Sequence, residues 1–149
     1  MYKYPVIAFE GIETSGKSTN LTIAVNYLKK NKKKFINLRE PGGSNFSEQI
    51  RKLLLDKKFK LNRKTDLMLF FAARSENFEK LIEKNYKKKI ILIDRFTDST
   101  IAYQHYGMNL DMKIVNLLNK FIIGNFKPDI TFLSTVNVKN LKSRLNKRL

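Results

Sequence analysis

Apolar positions along this chain fall into two spacings. Four short runs, Val6–Phe9, Phe35–Leu38, Ile90–Ile93 and Ile130–Leu133, have the length and content of strands buried on both faces. Between them apolar residues recur at the helical interval: Phe46, Ile50, Leu53 and Leu54, then Leu67, Phe70, Phe71, Phe78, Leu81 and Ile82, then Val115, Leu117, Leu118, Phe121 and Ile122. Strands alternating with helices predict crossover units, and so an α/β fold whose parallel sheet is flanked by helices on both faces, in three layers. Turn chemistry fills the gaps: "EPGGSN" (Glu40–Asn45) follows the second strand, "FKPD" (Phe126–Asp129) precedes the fourth, and Asn137 is placed to cap a last helix over Val138–Leu149.

One stretch carries chemistry by itself. In "FEGIETSGKST" (Phe9–Thr19), Gly11, Gly16, Lys17 and Ser18 satisfy G-x-x-x-x-G-K-[ST] between a strand and a helix, which is the phosphate-binding loop of nucleoside-triphosphatases and kinases. Its glycines let the backbone wrap an anion, and the amides and helix N-terminus face the phosphates. The expected ATP site is therefore Gly11, Ile12, Glu13, Thr14, Ser15, Gly16, Lys17, Ser18 and Thr19, with Lys17 on the outer phosphates and the Ser18 hydroxyl on Mg²⁺. The fold class sharpens to a P-loop NTPase fold.

In an open parallel sheet, ligands sit beyond the carboxyl ends of the strands. Arg39 follows the second strand, Asp94 and Arg95 the third, and Arg74 ends the aromatic stripe "FFAAR". Arginines gathered at that edge suit a phosphorylated ligand, because the planar fork binds phosphate oxygens bidentately. Asp94 is a candidate for Mg²⁺, with a helix cap or an ion pair to Arg95 as the alternatives.

Composition narrows the partners. The chain has 149 residues, is 42% hydrophobic and carries a formal charge of +17, enough for one domain with a core and enough charge to raise the question of nucleic acid. Its lysine clusters, at Lys29–Lys30, Lys32–Lys34, Lys57–Lys58 and Lys87–Lys89, fall at expected helix ends and turns without interleaved aromatics. That pattern reads as solvated surface, with no specific nucleic-acid partner. Absence of cysteine excludes disulfides, zinc thiolates and thiol nucleophiles, and a single histidine, His105, argues against a histidine-based metal site. No apolar run approaches a membrane span and no signal peptide is evident, so no membrane is expected and the cytoplasm is the expected compartment.

"FEGIETSGKST", "REPGG" (Arg39–Gly43), "FFAAR" (Phe70–Arg74), "DRFTDSTIAYQ" (Asp94–Gln104) and "FKPDITFL" (Phe126–Leu133), in this order, resemble the thymidylate kinases of bacterial type. The resemblance covers nearly the whole chain and implies phosphorylation of dTMP to dTDP with ATP and Mg²⁺. It further implies that Glu13 meets the sugar 3′-hydroxyl and that Arg39 and Arg95 hold the monophosphate. Phe70 would stack on thymine, and Arg74 would bond a base carbonyl. Tyr103 would exclude a ribose, with Ser99, Thr100 and Gln104 lining the base pocket. Phe70 and Tyr103 also sit on apolar stripes, where a core role stays open.

Lys17, Arg95 and Glu13 are the implied catalytic set. Thr14 and Ser15 stand where one branch of the family has a basic residue, which shifts charge neutralisation to lid arginines, for which Arg144 and Arg148 are the candidates. Family chains continue through a lid and closing helices, so residues 1–149 are expected to form a single kinase-like domain lacking them. Thr135 stands where the family usually has an aspartate. A homodimer formed through helices is also implied. Two alternatives remain: another nucleotide or nucleoside kinase, and a nucleotide-binding module without turnover.

Overall fold

In the computed structural model, which describes residues 3–146, the four apolar runs form one parallel sheet in the order β2-β3-β1-β4. The chain runs through β1 (Val6–Gly11), α1 (Lys17–Lys30), β2 (Phe35–Arg39), α2 (Asn45–Leu55) and α3 (Arg63–Asn77), which continues as a π-helical turn at Phe78–Glu83. It goes on through β3 (Ile90–Asp94), a short α4 (Thr97–Thr100) extended by a π-helical segment Ile101–Gly107, α5 (Met112–Ile123), β4 (Ile130–Ser134) and α6 (Val138–Asn146). All the expected strands are present, each longer than its apolar run by the one or two polar residues that reach the site. The expected last helix begins at Val138, capped as anticipated by Asn137, whose Oδ1 accepts from Asn140 N at 2.8 Å; its end beyond Asn146 lies outside the described residues.

Alternation along the strands divides the core between the two faces. Val6, Ala8, Leu38, Ile91 and Ile93 point to one side, packed with Ile82, Phe96 and Ile123. Phe9 and Leu92 point to the other, against Leu21 and Leu28 of α1. A third cluster, Leu67, Phe71, Leu110 and Val115, joins α3 to α5. Ser44, Asn62 and Asp111 cap α2, α3 and α5 through side-chain oxygens, which fixes where those helices start.

β4 departs from expectation. Its apolar run reads as a buried strand, yet Phe132 is 52% and Leu133 68% exposed. The reason is position: among the described residues β4 pairs only with β1, so it is an edge of the sheet.

Register brings the chemistry together. Phe9 lies opposite both Asp94 and Phe132, Arg39 opposite Asp94, and Gly11 opposite Ser134. The ends of four strands thus meet on one edge, with Glu10, Gly11, Arg39 and Asp94 side by side.

Candidate functional site

The loop from Gly11 to Gly16 begins and ends on backbone with positive φ, which favours glycine. Gly11 has φ +143°, and a Cβ there would sit 2.5 Å from Ser134 O and 2.7 Å from Ser15 Oγ. Gly16 opens α1 at φ +95° with no side chain capping the helix, so the first amides of α1 keep their anion-facing role. Ile12 to Asn20 line a cavity of about 620 Å³, together with Arg95 and Arg144. Ser18 and Thr19 are exposed in it, whereas Lys17 is buried and ion-paired with Asp94. Of the three roles weighed for Asp94, the ion-pair role is occupied, with Lys17 as the partner instead of Arg95. Glu13 is exposed on the loop and Thr14 Oγ1 and Ser15 Oγ are buried without a hydrogen-bond partner.

A second cavity, about 640 Å³, opens between the turn after β3 and the end of β4. Arg95, Ser99 and Tyr103 line it with Asp98, Ala102, Leu133 and Thr135. Arg95 has φ +67°, its N–H donates to Phe9 O at 3.0 Å, and its guanidinium lies over the Tyr103 ring at 5.3 Å. Ile12 and Arg95 line both cavities, so one arginine faces both spaces.

Arg39 stands apart from that pair of cavities. It lines a third hollow with Gly43, Glu48 and Asp94, and donates to Glu48 from Nη2 at 2.7 Å and from Nε at 3.1 Å. Glu48 also accepts from Gly43 N at 2.8 Å. The bond from Arg39 holds the Glu48 carboxyl down at about 2, and the same bond raises the Arg39 guanidinium.

Arg74 is 1% exposed and turned inward. Its Nε donates to Glu40 Oε2 at 2.7 Å, Nη1 to Asn119 Oδ1 at 2.6 Å and Nη2 to Thr100 Oγ1 at 2.7 Å, while Phe70, Phe71 and Phe96 pack around the guanidinium at 5.1–5.4 Å. Burial pushes the Glu40 carboxyl upward and Arg74 opposes that. Thr100 and Gln104 are buried, Gln104 donating to Asp66 Oδ1 at 2.9 Å with its own Oε1 unpartnered. Phe70 is half-buried. The structure therefore gathers Arg95, Ser99 and Tyr103 at one cavity but sets Arg74, Thr100 and Gln104 into the packing behind it.

Arg144 of α6 donates from Nη1 to Thr14 O at 2.8 Å, which closes α6 over the loop. Arg148 lies outside the described residues. Glu10, Glu40, Glu48 and Asn119 were not singled out by sequence reasoning. Glu10 had a legible signal, an acid at the end of an apolar strand directly before the first loop glycine; Glu40 and Asn119 meet Arg74 across 34 and 45 positions, too far to be read, whereas Glu48 lies only nine residues from Arg39. Among the described residues, no helix is long and apolar enough to cross a membrane.

A family model described as thymidylate kinase matches residues 9–149. The chain is 44% identical over 140 residues to a protein named thymidylate kinase from Thermosipho africanus, covering 93% of this chain and 70% of that one. It is 40% identical over 144 residues to one of the same name from Kosmotoga olearia, covering 96% and 69%. The crystal structure of thymidylate kinase from Ehrlichia chaffeensis superposes with a TM-score of 0.81 at 38% identity, covering 96% of this chain and 78% of that one.

Proposed function

This chain belongs to the thymidylate kinase family, and from that premise we propose that it transfers the γ-phosphoryl group of ATP to dTMP, giving dTDP and ADP, in the cytoplasm. The observation that carries the reading is Arg95, which lines both the phosphate-loop cavity and the cavity beside it. A cation shared by two adjoining anion sites is what transfer between two phosphates requires.

The acceptor phosphate is a dianion near neutral pH, since its second pKa is about 6, so its oxygen attacks without a general base. The bond from the γ-phosphorus to the bridging oxygen of ATP breaks as the new bond forms, in line, and catalysis is positioning plus charge neutralisation. The loop amides and the start of α1 hold the triphosphate. Lys17 exchanges Asp94 for phosphate oxygens, and Arg144 is within the same cavity. Glu13 orients the sugar, Tyr103 crowds its 2′ position, and Arg95 takes the acceptor phosphate, with Arg39 reaching it from the adjoining hollow that it lines with Asp94. For Arg74 the packing favours an indirect role, holding Thr100 and the aromatic wall that includes Phe70.

The Ser18 hydroxyl and the Asp94 carboxylate would hold Mg²⁺, an oxygen donor pair that suits a hard cation retaining several waters. Among the described residues there is no cluster of three or more His, Cys, Asp or Glu that would hold a metal without such help. Bound there, Mg²⁺ neutralises phosphate charge.

Residues 1–149 are read as one kinase domain. It pairs as a homodimer through α3 and α5, where Met68, Ile114, Leu117 and Phe121 leave apolar side chains exposed, Phe121 at 84%. Specificity tests the reading: dTMP, dUMP, dCMP and the ribose form of TMP are titrated into the chain, and dTMP should bind at least about ten times more tightly than the ribonucleotide. Equal binding of all of them would sink the proposed substrate.

A further inference from the structure

Glu10, the fifth residue of β1, is 3% exposed and points toward the turn that carries Arg95. Its Oε1 accepts from Phe96 N at 2.7 Å and Ser99 N at 3.3 Å, and its Oε2 accepts from Ser99 Oγ at 2.5 Å. Ser99 Oγ in turn accepts from Arg95 Nη1 at 3.2 Å. A serine hydroxyl has one proton and two lone pairs. Because that proton is drawn to the carboxylate, the lone pairs of Ser99 are left facing the guanidinium.

We infer that Glu10 is a positioning residue for acceptor-phosphate binding: through Ser99 it fixes the direction in which Arg95 presents its guanidinium. The inference rests on the reading above that Arg95 meets the acceptor phosphate. Two further facts support it. Arg95 sits at φ +67°, a conformation that a non-glycine residue keeps only where its surroundings hold it, and the bonds from Phe96 N and Ser99 N to Glu10 anchor the backbone that follows Arg95. Glu10 also comes from the strand that leads directly into the phosphate loop, so one short segment sets both anion sites.

With an amide in place of the carboxylate, the side chain can still accept from Phe96 N while offering an N–H to Ser99. The serine proton is then free to turn toward Arg95, where it opposes the guanidinium. A loss confined to the phosphate end of the acceptor follows, on the order of tenfold, the size of one hydrogen bond to a charged group.

Calorimetric titrations with dTMP, thymidine and ATP are compared for the parent chain, Glu10→Gln, Ser99→Ala and the double variant, with melting temperatures recorded alongside. The expected result is that Glu10→Gln weakens dTMP about tenfold, leaves thymidine within about twofold, and adds little once Ser99 is alanine. Glu10→Asp, which keeps the charge, should recover part of the loss. Equal weakening of all three ligands with a lowered melting temperature would make Glu10 merely structural and overturn the inference, as would unchanged dTMP affinity or full additivity with Ser99→Ala. A parent chain that binds ATP but not dTMP would overturn the acceptor reading and this inference with it, an outcome distinct from failure of the variant alone.

Discussion

Arg39 and Glu48 form a two-pronged ion pair, with Nη2 2.7 Å from Oε2 and Nε 3.1 Å from Oε1. Arg39 is the last residue of β2 and Glu48 lies in the first turn of α2, so the pair ties the strand end to that helix. Glu48 is held at about 2 against an unfolded value of 4.5. A carboxyl depressed in the folded state stabilises it above the unfolded value, and that contribution fades as pH falls from about 4.5 toward 2. Both partners are partly open to water, so the effect is screened. Urea titrations of the parent and Glu48→Gln should differ at pH 7 and converge near pH 2; a difference that persists unchanged at low pH contradicts the assignment.

The same substitution should alter acceptor binding. Released from Glu48, the Arg39 side chain loses its fixed direction, and dTMP affinity should fall several-fold at low salt while ATP affinity holds. Titration of both nucleotides into Glu48→Gln checks this.

Arg74 and Glu40 make a stronger demand, because both are buried. Arg74→Met strands the Glu40 carboxylate and should cost about 3–5 kcal/mol of stability. Pairing it with Glu40→Gln should recover a large share, since removing both charges avoids the lone buried ion. Denaturant midpoints of the two singles and the double decide it, and simple additivity would deny the coupling.

Gly11→Ala places a Cβ 2.5 Å from the Ser134 carbonyl oxygen at φ +143°. The expected penalty is about 1–3 kcal/mol from strain alone, with ATP affinity reduced because the loop must shift away from β4. Gly16→Ala meets nothing within 4 Å and should cost less than Gly11→Ala. Melting curves and ATP titrations on the two variants compare the positions.

If α5 forms the homodimer face, Phe121→Glu should shift the mass by light scattering from two chains to one at micromolar concentration, with the melting temperature of the monomer preserved. A parent chain that is already monomeric would remove the proposed interface.

The strand runs and the phosphate loop were legible because their signals are local. The run Ile90–Ile93 declares β3 without knowledge of its neighbours, and the spacing of Gly11, Gly16 and Lys17 declares the turn. Exposure of β4 was not legible, because a strand's place at the edge is a property of the whole sheet. The setting of Arg74 was hidden for a similar reason: Glu40, Thr100 and Asn119 come from three separate segments, and only the fold brings them together. Glu10 lay in plain view beside Gly11, but its partners Phe96 and Ser99 stand some 86 and 89 positions away.

The decisive measurement is release of ADP in the presence of ATP, Mg²⁺ and dTMP, for the parent chain beside Lys17→Ala. Turnover should require dTMP and fall at least about a thousandfold when Lys17 is removed. Saturable binding of both nucleotides with no ADP formed, or turnover indifferent to dTMP or to Lys17, would contradict the proposed transfer.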